Sequence, residues 1–71
     1  MDEMKALGAY RRGYARGMGR MLPDALMPTG DDLNKFVPKW KQMSLAALEE
    51  IGRNDGMDDR VDYLDQNQDE E

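Results

Sequence analysis

The sequence predicts an all-α protein, a small bundle of three or four short helices followed by a disordered acidic tail. Three observations carry that expectation. Apolar residues recur at three- and four-residue steps, no segment alternates apolar and polar residues for long, and Pro, Gly and Asn-Asp-Gly signals divide the chain into short pieces. Residues 1–65 read as a single domain. Residues 66–71 read as the tail, because their polar, acidic composition offers too little apolar surface to offset chain entropy.

The first helix is expected over residues 2–22, with Asp2 and Glu3 favourable at its start and Pro23 ending it. At ~100° per residue, Met4, Leu7, Tyr10, Tyr14, Met18 and Met21 gather within a sector of roughly 120°. Lys5, Arg12, Arg16 and Arg20 fall together on the opposite side. Gly8, Gly13, Gly17 and Gly19 each weaken a helix interior by ~1 kcal/mol relative to Ala, so this helix is expected to fray when alone. Gly13 and Gly17, four apart and preceded by Ala9, also lay a smooth strip along the helix edge. Such a strip suits close approach by a partner surface or a nucleic-acid backbone, and intrinsic flexibility is the other reading.

Residues 23–32 read as a linker of turn formers around Leu26 and Met27. Asp31 or Asp32 is expected to cap a short second helix carrying Leu33, Phe36 and Val37, which Pro38 ends. A third helix is expected over 39–51, with Trp40, Met43, Ala47 and Ile51 on one face and Gly52 as its C-terminal cap. Asn54-Asp55-Gly56 then signals a turn. Met57, Val61 and Leu64 have the spacing for a last short helix that forms on docking.

A domain of 71 residues buries only ~60% of the surface its unfolded chain exposes, so the core must be thin. The chain has no Cys and no His, which removes a disulfide frame, the usual zinc ligands, the commonest general base and the strongest ordinary nucleophile. Adjacent acidic pairs such as Asp31-Asp32, Glu49-Glu50 and Asp58-Asp59 diverge by ~100° on a helix instead of converging on one substrate. Residues 55–65 lack the alternating oxygen ligands of a calcium loop. A non-enzymatic protein is expected, with no catalytic residues, no metal, no cofactor and no small-molecule substrate.

No apolar run approaches the ~20 residues needed to span a bilayer, and the N-terminus shows no signal-like segment, so the expected setting is cytoplasmic and away from membranes. The net charge of -5 conceals an asymmetry. Residues 1–46 carry eight basic and five acidic side chains, whereas residues 47–71 carry two basic and ten acidic ones. The expected partner is therefore a macromolecule read by charge, a protein first and RNA or the ribosome second.

The candidate partner-binding residues are Arg11, Arg12, Tyr14, Arg16, Arg20 and Trp40. Arg12, Arg16 and Arg20 present guanidinium forks along a line, a geometry that fits carboxylates or phosphates. Arg11 falls inside the apolar sector, where a charge without a carboxylate partner is costly to bury, so it is expected to snorkel outward or to close against a partner. Tyr10 and Tyr14 lie with the apolar face, where core is their commoner fate. Trp40 is an anchor if exposed and core if not.

Ala9-Tyr10-Arg11-Arg12-Gly13-Tyr14-Ala15-Arg16-Gly17 resembles the Arg-Gly-Tyr-x-x-Gly opening of the ribosome modulation factor family, small proteins that bind ribosomes in resting bacteria. The resemblance covers these nine residues, and the later tryptophan-rich segment of that family corresponds here only to Trp40. It implies an RNA-facing surface at Arg12, Tyr14 and Arg16.

The leading functional expectation is a protein-binding regulator or inhibitor of a large machine, of the kind encoded by bacteria and their phages, with RNA polymerase among its targets. A ribosome- or RNA-binding factor is the second. An acidic nucleic-acid mimic using Asp55, Asp58, Asp59, Asp62 and Asp65, or a small structural subunit, completes the set.

Overall fold

The computed structural model describes residues 2–19 and 27–68, and among them the chain is all-α with no strand. Helix α1 spans Glu3–Met18, α2 spans Gly30–Phe36, a single 3-10 turn covers Trp40–Gln42, and α3 spans Leu45–Gln68. Arg20, Met21, Leu22, Pro23 and Leu26 lie outside the described residues, as does the tail from residue 69.

Helix α1 starts where expected, with the Asp2 side chain accepting from the Met4 N–H at 3.1 Å. It stops earlier than Pro23. Gly19 takes φ 69°, and its N–H bonds to the Ala15 carbonyl, a left-handed stop that glycine adopts without a Cβ penalty. The buried face is also rotated relative to the one the large apolar residues define. Ala6, Ala9, Gly13 and Gly17 are buried along with Tyr10, Tyr14 and Met18, whereas Met4 is 80% exposed. At ~100° per residue, the buried sector is centred roughly 70° away from that of the Met/Leu/Tyr stripe. Small residues, which permit close helix approach, set the packing direction.

Thr29, and neither Asp31 nor Asp32, caps α2. Its hydroxyl accepts from the Asp32 N–H, and the Asp32 carboxylate accepts from the Thr29 N–H at 2.9 Å, a reciprocal capping box. The expected linker therefore ends at Pro28. Pro38 follows the helix and leads into the 3-10 turn, so Trp40 sits in this turn and not on a third helix.

The largest departure concerns α3. Residues 45–68 form one helix of 24 residues where the sequence suggests two helices separated by Gly52 and Asn54-Asp55-Gly56. Ser44 begins it, its hydroxyl accepting from the Ala47 N–H at 3.2 Å. Gly52 and Gly56 are buried mid-helix against the backbone of α1. Helix–helix packing overrides the local turn preference of these residues. The helix also includes residues 66–68, assigned to the tail on composition.

Helices α1 and α3 run parallel, because Tyr10 pairs with Asp55 and Tyr14 with Asp59, both partners advancing by four. The intervening segment returns the chain to the starting end, and α2 and the 3-10 turn close the core on the way. Ala6, Ala9, Tyr10, Leu33, Val37, Trp40 and Leu48 make that core, flanked by Leu7, Met43 and Ile51. The molecule is elongated, 45 × 19 × 17 Å.

Further along, side-chain packing gives way to backbone contact. A Cβ on Gly13 would lie 2.8 Å from the Arg53 nitrogen, and one on Gly17 would lie 2.7 Å from the Met57 nitrogen. From the other side, a Cβ on Gly52 would lie 3.0 Å from the Tyr14 nitrogen, and one on Gly56 would lie 3.1 Å from the Met18 nitrogen. Two glycine pairs of identical spacing face each other across a parallel helix seam. The strip at Gly13 and Gly17 is thus used within the chain, with neither an outside partner nor intrinsic flexibility needed to explain it.

Candidate binding surfaces

The candidate residues do not form one surface. Arg12 and Arg16 are exposed on the back of α1, and Arg16 makes an ion pair with Glu49 of α3. Arg11 lies at the exposed edge of the rotated apolar face and donates its Nε–H to the Pro28 carbonyl at 2.7 Å. It snorkels, and a backbone carbonyl takes the place of the carboxylate partner. Tyr14 is only 5% exposed and donates its hydroxyl to Asp59, so it is not available to stack beside Arg12 and Arg16. Trp40 is core, at 4% exposure, with Nε1–H donating to Asn34 Oδ1 at 2.8 Å. Arg20 lies outside the described residues.

A second surface, not singled out from the sequence, lies on the opposite side of the seam. The Tyr10 hydroxyl donates to Asp55 Oδ2 at 2.6 Å, and the Tyr14 hydroxyl donates to Asp59 Oδ2. Because tyrosines and aspartates share four-residue spacing on parallel helices, the two bonds repeat one geometry. Burial, then the hydrogen bonds to Asp55 and Asp59, push both phenols well above the ordinary tyrosine range. The phenols therefore stay neutral donors, and the aspartate side chains are held in place by them.

These four side chains form one wall of an open cleft of about 520 Å³. Met27, Pro28 and Phe36 supply apolar surface to it, and Asp32 and Asp58 add two more carboxylates. Among the described residues no Lys or Arg lines the cleft, although Lys35 stands over the Phe36 ring, 5.3 Å from its centroid. The arrangement combines carboxylates directed by hydrogen bonds with an exposed aromatic edge. This chemistry suits a guanidinium or ammonium carried on an apolar stem.

Among the described residues, no group of three or more carboxylates converges as a metal site would require, and no helix is long and apolar enough to cross a membrane. The signal for the cleft was present in the sequence as two equal spacings, Tyr10/Tyr14 and Asp55/Asp59. It was hidden because residues 54–56 read as a turn, which would have destroyed the register. Compared with known protein families, curated proteins and solved structures, the chain matches none of them.

Proposed function

We propose that the protein is a non-enzymatic, cytoplasmic binding protein that holds a basic segment of a protein partner in the cleft between α1, α2 and α3, and so regulates that partner. The supporting observation is the paired set of tyrosine-fixed aspartates in a cleft that, among the described residues, no basic side chain lines. Fixed carboxylates lose little freedom when a cation binds, and the neighbouring Phe36 and Met27 offer apolar area for the stem of an Arg or Lys. The continuous α3 also gives Asp55, Asp58, Asp59 and Asp62 a regular spacing on one side of a helix. This favours a partner whose basic surface ordinarily meets nucleic acid, the class to which a regulator of RNA polymerase or another nucleic-acid machine belongs.

The cationic back of α1 supports the RNA-binding alternative less well, since Arg16 is shared with Glu49 and Tyr14 is buried. The two readings separate by nuclear magnetic resonance titration of the full chain with an Arg/Lys-rich peptide and, in parallel, with a short single-stranded RNA. The peptide should shift the amide signals of Tyr10, Asp32, Phe36, Asp55 and Asp58. Its affinity should fall on raising salt and on substituting Asp32→Asn with Asp58→Asn. Shifts produced only by RNA, and confined to Lys5, Arg12 and Arg16, would replace this reading with the RNA-binding one.

A further inference from the structure

The outward face of α3 carries a pattern that neither the core nor the cleft uses. Asn54, Met57, Val61 and Leu64 follow one another at steps of three, four and three residues. They lie about 140° around the helix from the Gly52/Gly56 seam. Met57 is 49% exposed and Val61 58%, Asn54 is exposed, and Leu64 is half-buried. These steps are those of the a and d positions of a heptad, with Asn54 and Val61 at a, and Met57 and Leu64 at d. A polar Asn at one a position, with Val at a and Leu at d elsewhere, is the composition that specifies a two-stranded, in-register pairing.

The flanking charges agree. Arg53 and Arg60 occupy the two g positions beside this stripe, Asp58 and Asp65 the two e positions, and all four are exposed. In a parallel dimer each g residue meets the e residue five positions later on the other helix, which sets Arg53 against Asp58 and Arg60 against Asp65. Antiparallel pairing would instead set Arg against Arg and Asp against Asp. Among the described residues none of these four makes an ion pair within the chain, although Arg60 Nη1 lies near Gly19 at the end of α1.

We propose that residues 53–65 of α3 pair with the same segment of a second copy of this chain, as a parallel two-stranded coiled coil. Helix α1 lies on the far side of α3, so the two copies would meet without disturbing the glycine seam or the Tyr–Asp bonds. Two heptads make a short interface, and the association is accordingly weak. The tertiary support that α1 gives to α3 removes part of the helix-ordering cost that would defeat an isolated peptide of this length.

Sedimentation equilibrium of the full chain, from micromolar to low-millimolar concentration, tests this directly. The mass should rise from the monomer's 8.1 kDa toward twice that value, and the dimer should weaken with salt. Val61→Asp should weaken dimerisation by about 100-fold or more while leaving the helical circular dichroism of the monomer unchanged. Arg60→Glu should weaken it about 10-fold, and adding Asp65→Lys in the same chain should restore it. A chain that stays monomeric throughout, or an association indifferent to Arg60→Glu, would overturn the proposal. In an antiparallel pair the same substitution would replace an Arg–Arg contact with an Arg–Glu one and tighten the association, which would likewise overturn the proposal.

Discussion

The two halves of the α1–α3 contact are held together by different means. Near the start of α1, large side chains from three elements close over Ala6, Ala9 and Tyr10, with Leu33, Val37, Trp40 and Leu48 supplying the apolar volume. Beyond Tyr10, where Tyr14 and Met18 are the large buried side chains of α1, Gly13, Gly17, Gly52 and Gly56 bring backbone against backbone. The first half resembles an ordinary hydrophobic core. In the second, dispersion contacts at short range and two edge hydrogen bonds replace it. In a chain this short, the second solution extends a parallel helix pair beyond the reach of the main core cluster.

If that contrast is right, the glycine half should tolerate substitution no better than the core. Gly13→Ala places a Cβ 2.7 Å from the Glu49 carbonyl carbon, which is backbone and cannot rotate away. The helices would have to part, and a loss of about 3 kcal/mol or more is expected. A domain of this length has only about 4–10 kcal/mol of stability, so denaturant unfolding should show a sharply lowered midpoint. Leu48→Ala, a deletion from the fully buried core, should cost about 3 kcal/mol by the same measurement. A glycine variant as stable as the original would show that the seam is looser than described.

The edge hydrogen bonds sharpen the comparison at a smaller scale. Tyr10→Phe and Tyr14→Phe should each lose about 1 kcal/mol, because each removes one hydroxyl donor while keeping the ring. Their pH dependence follows from the raised phenol pKa values. The fold favours the neutral phenol, so the contribution is fully present below the ordinary tyrosine pKa of about 10 and is lost as pH climbs above it. Stability measured against pH should fall on the alkaline side, and the double Phe variant should show a flatter fall. An equal alkaline fall in that variant would mean that other groups cause it.

The all-α class, the start of α1 and the end of α2 before Pro38 were legible because each depends on local signals: periodicity, a capping side chain, a proline. The continuity of α3 was not legible in that way. Gly52, Asn54, Asp55 and Gly56 are poor helix formers, and the reason they remain helical lies some forty residues away in Gly13 and Gly17. The same long-range pairing decides the cleft, since Asp55 and Asp59 face Tyr10 and Tyr14 only if no turn intervenes. Matching the two four-residue glycine spacings against each other would have recovered both. In α1 the large Met, Leu and Tyr residues define one stripe, whereas Ala and Gly set the packed face; an amphipathic stripe shows where bulk lies, which differs from where backbones can meet.

Gly8 provides the smallest effect and the cleanest control on the seam. It belongs to the same helix as Gly13 and Gly17, yet a Cβ there would meet nothing closer than the Arg12 guanidinium at 3.8 Å, an ordinary contact with a movable side chain. With no close approach to preserve, only helix propensity and unfolded-chain entropy remain, and both favour alanine. Gly8→Ala should therefore stabilise the protein by about 0.5–1 kcal/mol, seen as a higher denaturation midpoint with an unchanged slope. The same substitution five residues later should reverse in sign, because position 13 faces the α3 backbone and position 8 does not. If Gly8→Ala and Gly13→Ala moved the midpoint in the same direction, the backbone seam would not distinguish the two positions, and the division of the helix pair into two differently built halves would fail.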